Sequence, residues 1–178
     1  MKFFLIQSDP RYVDSPEILN WSGQIDPRNI HPHYSYKIAK RQILTVRPNP
    51  NMVFVDVISS PFLLISKRCM EVVKLYEPQT IFKQIILLDM ETPQRETYYL
   101  PILKHICCLA EGSIWNMDKS VLLKGVLDLE LVGTTSIFQL VNLKKVYTVI
   151  RMDVLESMLK RGARGMAITQ LKTVKGDV

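Results

Sequence analysis

Short runs of alternating or β-branched apolar residues recur along the chain, and this pattern predicts more strands than helices. Residues 81–89 and 96–102 are two such runs, and the polar stretch between them is typical of a turn, so they predict an antiparallel hairpin. Residues 136–141 and 145–150 predict a second hairpin, which turns at residues 142–144. Antiparallel pairing of neighbouring strands is therefore the dominant expectation.

Further strands are expected at shorter apolar runs, namely residues 2–7, 41–47, 53–58, 104–109 and 166–171. One of these runs contains a carboxylate, Asp56, and a charge inside a buried strand needs a partner. Arg47 lies at the other end of the same proline-containing turn, so we predict that it pairs with Asp56. Both residues are then structural.

Two segments have the apolar period of an amphipathic helix. The first, residues 66–76, begins with Ser66 as N-cap, and the second, residues 153–161, ends at Gly162. Residues 8–32 are rich in Asp, Pro, Asn and Ser and show no sustained period, so they predict a long irregular N-terminal loop. Clustered strands and few helices predict an α+β fold with a mostly antiparallel sheet and two main helices.

The composition is that of one ordinary globular domain, which we place at residues 1–178. Hydrophobic residues make up 47% and charged residues 22%, which excludes a disordered chain. Three cysteines, two of them adjacent, favour reduced thiols in a cytoplasmic protein over a secreted disulfide framework. The N-terminal apolar run is too short for a signal peptide, and no run approaches the ~20 apolar residues that span a bilayer, so we expect no membrane association.

The charge of the chain is positive and concentrated near its end. The net charge is +6, and residues 144–178 contain eight basic and three acidic residues, a net of +5. Such a surface favours an acidic partner or a phosphate backbone, although no recognised nucleic-acid motif is present. A solvated basic face is the plain interpretation, and a small basic nucleic-acid-binding protein is the alternative.

Few residue clusters could carry chemistry. The pair His31 and His33, and the group His105, Cys107 and Cys108, lack the ligand spacing that is typical of zinc sites, so we expect no metal. None of the seven glycines belongs to a phosphate-binding loop, and there is no nucleophile elbow. The sequence therefore predicts no cofactor and no catalytic residue, and an uncharacterised enzyme is the less favoured alternative.

Eight short motifs resemble, in their order and spacing, a bacterial immunity-protein family of polymorphic toxin systems. That family was formerly a domain of unknown function and is named after a myxobacterial member. The motifs are WSGQIDPR (21–28), RPNP (47–50), FVD (54–56), SPFLLIS (60–66), YEP (76–78), FKQ (82–84), YTVIRMD (147–153) and RGARG (161–165). The resemblance covers nearly the whole chain. It implies a non-enzymatic α+β protein that binds and neutralises a cognate toxin, and it does not identify that toxin.

Residues that contact such a partner are a separate prediction. Aromatic residues and arginines carry much of the binding energy at interfaces, and they occur here in the irregular N-terminal segment and in the basic C-terminal region. The predicted contacts are Trp21, Arg28, Tyr34, Tyr36, Arg41, Lys160, Arg161 and Arg164. Trp21 and Arg28 have an alternative role, which is to hold the loop in place. Because the chain is basic, we expect an acidic patch on the toxin or a contact away from any nucleic-acid groove.

Overall fold

The computed structural model describes residues 1–118, 120–141 and 145–175, and these ranges form an α+β fold, as predicted. The strands are β1 (Phe3–Ser8), β2 (Arg41–Val46), β3 (Val57–Ile58), β4 (Leu64–Ser66), β5 (Ile81–Asp89), β6 (Arg95–Ile102), β7 (Lys104–Ile106), β8 (Ile114–Trp115), β9 (Leu122–Lys124), β10 (Val126–Asp128), β11 (Ile137–Leu140), β12 (Tyr147–Arg151), β13 (Met166–Gln170) and β14 (Lys172–Val174). The α-helices are α1 (Lys67–Tyr76), α2 (Leu129–Val132) and α3 (Met152–Lys160), and 3-10 helices span Pro27–Asn29 and Ser35–Lys37.

Two five-stranded sheets dominate the fold. The first sheet has the order β13-β1-β12-β11-β7 and the second the order β2-β5-β6-β4-β3. Most neighbours are antiparallel, but β2–β5 and β7–β11 are parallel, so both sheets are mixed. Both predicted hairpins are confirmed, as β5–β6 and β11–β12, and the turn predicted at residues 142–144 lies outside the described residues.

Helices α1 and α3 lie between the two sheets. Their apolar sides bury Val72, Val73, Val154 and Met158 against residues of both sheets, including Ile150 of β12. The opposite face of the first sheet is covered by the chain between β7 and β11, and the opposite face of the second sheet by residues 9–40. Both faces of each sheet thus carry buried apolar residues, which accounts for the many apolar strand residues.

The segment between β1 and β2 is a packed layer, and the prediction of a long irregular loop there is not confirmed. It contains the two 3-10 helices and a bridge from Ile18 to Val46 of β2. Ile25, Ile30 and Ile38 are buried in the cluster under the second sheet. Apolar residues without a helical or strand period are enough to anchor this segment.

Several predicted boundaries differ from the structure. The strand predicted at residues 53–58 is limited to β3, because the main-chain N–H groups of Val53 and Asp56 donate outside the sheet, to the carbonyl oxygens of Asp14 and Arg164. The strand predicted at residues 104–109 ends earlier, as β7. The N-cap prediction is confirmed, since Ser66 Oγ accepts a hydrogen bond from the N–H of Cys69.

None of the helices in the described ranges is long and apolar enough to cross a bilayer. The longest, α1, has ten residues, whereas a spanning helix needs about 20.

Candidate functional site

A polar cleft of about 460 Å³ opens beside the first turn of α1. The last residue pair between β4 and β6 joins Ser66 to Tyr98, so the beginning of β6 extends past its neighbour and forms one wall of the cleft. Lys67 and Arg68 line the cleft from α1, and Arg164 lines it from the loop that follows α3. Elements that are far apart in the sequence therefore meet here.

A nearly buried carboxylate, Asp56, organises the cleft. It is 7% exposed, and its Oδ1 accepts a hydrogen bond from Ser66 Oγ at 2.5 Å. Its Oδ2 accepts from the main-chain N–H of Arg164 at 2.9 Å and lies 3.8 Å from Nη1 of Arg68. Both oxygens are thus satisfied within the protein, as a buried charge requires.

The predicted pairing of Asp56 with Arg47 is wrong. Nε and Nη2 of Arg47 donate to the two carboxylate oxygens of Glu17 at 2.6 and 3.0 Å, and this pair is exposed. Arg47 pairs with Glu17 because its main-chain N–H, just after β2, donates to the carbonyl oxygen of Glu17. This hydrogen bond brings the two side chains together. The guanidinium of Arg47 also lowers the pKa of the Glu17 carboxyl.

The loop after α3 forms the other wall of the cleft. Gly162 and Gly165 both have φ +78°, which favours glycine, and Arg68 Nη1 donates to the carbonyl oxygen of Gly162 at 2.6 Å. A Cβ on Gly165 would lie 2.4 Å from Cβ of Val55, so only glycine allows this close approach. The RGARG and FVD motifs are therefore in direct contact.

Three exposed cations line the cleft and two more directly precede Gly162, which also lines it; the five are here called the basic surface. Its members are exposed side chains on α1, at the end of α3 and in the following loop: Lys67, Arg68, Lys160, Arg161 and Arg164. Arg161 turns back on its own helix, where its Nη1 donates to Ser157 Oγ at 2.6 Å. The sequence prediction included the last three of these residues and missed Lys67 and Arg68, although the N-cap at Ser66 places both in the first turn of α1.

Trp21 contacts the cluster under the second sheet, and Arg28 pairs with Asp26 within the N-terminal segment. The ring of Trp21 packs edge to face on Phe62, with centroids 6.3 Å apart, at the margin of the cluster under the second sheet. Nε and Nη2 of Arg28 donate three hydrogen bonds to the Asp26 carboxylate, with Nη2 to Oδ2 at 2.8 Å, and the guanidinium lowers the pKa of that carboxyl. Asp26 also caps the first 3-10 helix.

The other predicted N-terminal contacts are exposed. Tyr34 and Tyr36 lie at the second 3-10 helix, and Nζ of Lys37 is 5.3 and 6.0 Å from the centroids of their rings. Arg41 Nε donates to Gln84 Oε1 at 2.7 Å. Among the hydrogen bonds and ion pairs of the described residues, none joins these side chains to the basic surface.

The three histidines come together away from the cleft. The ring of His31 lies 5.1 Å from that of His33 and 4.8 Å from that of His105, between centroids. Nε2 of His105 is 3.0 Å from Gln139 Oε1. Burial and then the neighbouring His31 lower the pKa of His105. In the described ranges, no group of three or more His, Cys, Asp or Glu residues has the geometry of a metal site.

The potential nucleophiles near the cleft have structural roles. Burial raises the pKa of the Cys69 thiol to about 12, so the thiol is neutral near pH 7. The hydroxyl of Ser66 donates to Asp56, and the hydroxyl of Tyr98 donates to the carbonyl oxygen of Val55 at 2.6 Å. The two hydroxyl groups therefore hold the chain at Val55 and Asp56 in place beside the cleft.

No protein-family model matches the chain, and none of the curated proteins is similar to it in sequence. The interpretation of the cleft therefore depends on its own contacts and charges, together with the order of the motifs in the sequence.

Proposed function

We propose that this chain is a cytoplasmic, non-enzymatic immunity protein, which binds a cognate bacterial toxin and neutralises it. The observation that carries the proposal is the contact between the FVD and RGARG motifs at the cleft, where Asp56 bonds to the N–H of Arg164. These are two of the motifs on which the family resemblance depends. Their contact gives a physical reason for both motifs, because each supports the same cleft.

The charges at the cleft favour an acidic partner. The negative charge of Asp56 is buried and satisfied by Ser66 and Arg164. The exposed carboxylate of Glu96 also lines the cleft, but the exposed cations Lys67, Arg68 and Arg164 outnumber it. Arginine binds carboxylates through paired hydrogen bonds, and clustered positive charge accelerates encounter with an acidic protein. The basic surface therefore suits a toxin that presents carboxylates.

A binding role accounts for the polar groups better than catalysis does. Asp56, Ser66 and Tyr98 line the cleft, but each forms hydrogen bonds that hold neighbouring segments together. A catalytic base or nucleophile instead needs a group that is available to substrate. Tyr34, Tyr36 and Arg41 are exposed side chains of the types that dominate interfaces, so we include them as further contacts.

The test is co-expression with the toxin domain encoded by the neighbouring gene. Wild type should co-purify with this domain and restore growth. A Lys67→Glu, Arg164→Glu double variant should weaken binding by about tenfold or more, because two attractive charges become repulsive. Lys124→Glu with Lys172→Glu is the matched control, since these exposed lysines lie on β9 and β14, and it should leave affinity unchanged.

Two results would contradict the proposal. The first is wild-type protein that neither binds the toxin domain nor protects the cell. The second is tight binding of a DNA or RNA oligonucleotide that weakens steeply with added salt and is lost in the Lys67→Glu, Arg164→Glu variant, which would assign the basic surface to a phosphate backbone.

A further inference from the structure

The two faces of the second sheet are covered unequally. Residues 9–40 cover one face, where Leu44, Ile85 and Tyr98 are buried. On the other face α1 packs over Ile65 and Tyr99, which lie opposite each other on β4 and β6. The cover therefore extends over β4, part of β6 and Phe82 at the beginning of β5, and none of the described residues of this cluster belongs to β2.

Beyond α1, apolar side chains of β2 and β5 remain accessible, together with threonines of β2 and β6. Ile43 of β2 is 54% exposed and lies opposite Ile86 of β5, which in turn lies opposite Thr97 of β6. Leu88, the next residue of β5 on this face, is partly exposed and lies opposite Thr45. We call this set, Ile43, Thr45, Ile86, Leu88 and Thr97, the β2–β5 face.

Positive charge borders the β2–β5 face. Arg41 stands opposite Gln84, to which it donates a hydrogen bond, and Arg95 stands opposite Leu88. None of the residues that alternate onto this side at positions 41–45, 84–88 and 95–97 is acidic. Thr97 also lines the polar cleft, so the β2–β5 face borders the cleft that Lys67, Arg68 and Arg164 line.

We infer that the β2–β5 face is the apolar centre of the toxin contact, and that the toxin presents apolar side chains bordered by carboxylates. This inference rests on the proposed function and adds the location and chemistry of the contact. An apolar centre with a polar rim is the usual anatomy of a protein interface. A second copy of the chain fits less well, because both copies would present Arg41 and Arg95 at the border of this face and neither would present a carboxylate among its residues 41–45, 84–88 and 95–97 that share the face.

The experiment compares two matched substitutions in the full chain, with the toxin domain of the neighbouring gene as the probe. Ile43→Glu places a carboxylate in the centre of the β2–β5 face. Leu123→Glu makes the same kind of change at a side chain that is 64% exposed on β9. Calorimetry should show that Ile43→Glu weakens binding by about a hundredfold and Leu123→Glu by less than about twofold. Arg95→Glu should weaken it by about tenfold.

The possible results separate this inference from the proposed function. Binding by wild type and equally tight binding by Ile43→Glu would overturn the assignment of the surface and leave the proposed function standing. Failure of wild type to bind would overturn both. If Ile43→Glu does not fold, Ile43→Thr keeps a β-branched residue in the strand and should still weaken binding, and full affinity would overturn the surface. Wild-type dimers in sedimentation that Ile43→Thr dissociates would assign the face to a second copy instead.

Discussion

Asp56 and Arg164 are joined by two hydrogen bonds across 108 positions of the chain. The N–H of Arg164 donates to Oδ2 of Asp56, and the N–H of Asp56 donates to the carbonyl oxygen of Arg164, both at 2.9 Å. Asp56 precedes β3 of the second sheet, and Arg164 precedes β13 of the first sheet. The link therefore connects the two sheets at the mouth of the polar cleft.

Replacing Asp56 should destabilise the fold strongly. In Asp56→Ala the N–H of Arg164 and the hydroxyl of Ser66 lose a buried acceptor, and Arg68 loses its counter-charge. Because unsatisfied buried donors are costly, we expect the free energy of unfolding to fall by about 2–4 kcal/mol. Urea denaturation followed by circular dichroism measures this change.

Two further variants at and near this position separate the hydrogen bonds from general effects. Asp56→Asn retains one acceptor oxygen and should lose about half as much stability. Glu156→Ala removes an exposed carboxylate from α3 and should change the free energy of unfolding by less than about 0.5 kcal/mol. An unchanged unfolding midpoint in Asp56→Ala would mean that Asp56 does not hold the loop at Arg164.

Replacing Arg47 should have almost no effect on stability. Its partner Glu17 is 60% exposed and its own side chain 63% exposed, and exposed ion pairs are screened by solvent. We expect the unfolding midpoint of Arg47→Ala to equal that of wild type within error. A loss as large as that of Asp56→Ala would instead show that Arg47 carries a buried charge pair.

The partners of Asp56 and Arg47 show which contacts can be predicted from a sequence and which cannot. The β5–β6 and β11–β12 hairpins were predictable because their strands are neighbours in the chain and the apolar period is local. The partner of Asp56 was not predictable, because it is a main-chain N–H, and every residue except proline offers one. A sequence suggests only a complementary side chain as the partner, and the arginine nearest to Asp56 in the sequence is Arg47.

The cleft was only partly predictable for a related reason. Arg164 was predicted as a contact residue because it belongs to the basic C-terminal region. Lys67 lines the same cleft only because α1 packs beside α3 between the sheets. Helix packing of this kind depends on contacts among residues that are distant in the sequence. The two glycines of RGARG do indicate a tight turn from the sequence alone, because glycine adopts a positive φ more readily than any other residue, and both glycines have one here.

Stability should fall as the pH is lowered through the histidine range. Burial, and then the charge of His31, keep the pKa of His105 below its usual value near 6.5, although the hydrogen bond with Gln139 acts in the opposite direction. Between that value and the lower folded pKa, the unfolded chain binds the proton more readily, so stability is lost as the pH falls from about 6.5. Urea denaturation at pH 7.5, 6.5 and 5.5 should show a steady decrease.

A substitution isolates the contribution of His105 to this slope. His105→Gln keeps a polar group near Gln139 but cannot titrate, so its stability should depend less on pH between 7.5 and 5.5. His33→Gln is the comparison, because His33 is exposed and the slope should survive its removal. A slope that persists in His105→Gln would assign the pH dependence to other groups.

Of the two glycines in the RGARG motif, Gly165 should tolerate a side chain less well than Gly162. It has φ +78°, and a Cβ there would lie 2.4 Å from Cβ of Val55. Gly162 has the same φ, but the nearest atom to its Cβ would be Nη1 of Arg68 at 3.5 Å. Gly162→Ala should therefore cost about 1 kcal/mol for the backbone conformation alone, and Gly165→Ala about 1–3 kcal/mol more for the clash.

The double variant Val55→Gly, Gly165→Ala distinguishes the clash from other causes. Removing the whole side chain of Val55 takes away both Cβ, at 2.4 Å from the new Cβ, and Cγ1, at 2.5 Å, so the double variant should be more stable than the two separate losses predict. Thermal and urea unfolding of the four proteins in this cycle give the coupling free energy. If the two losses simply add, Gly165 is constrained by its backbone conformation and not by its contact with Val55, and the FVD and RGARG motifs are not coupled through this contact.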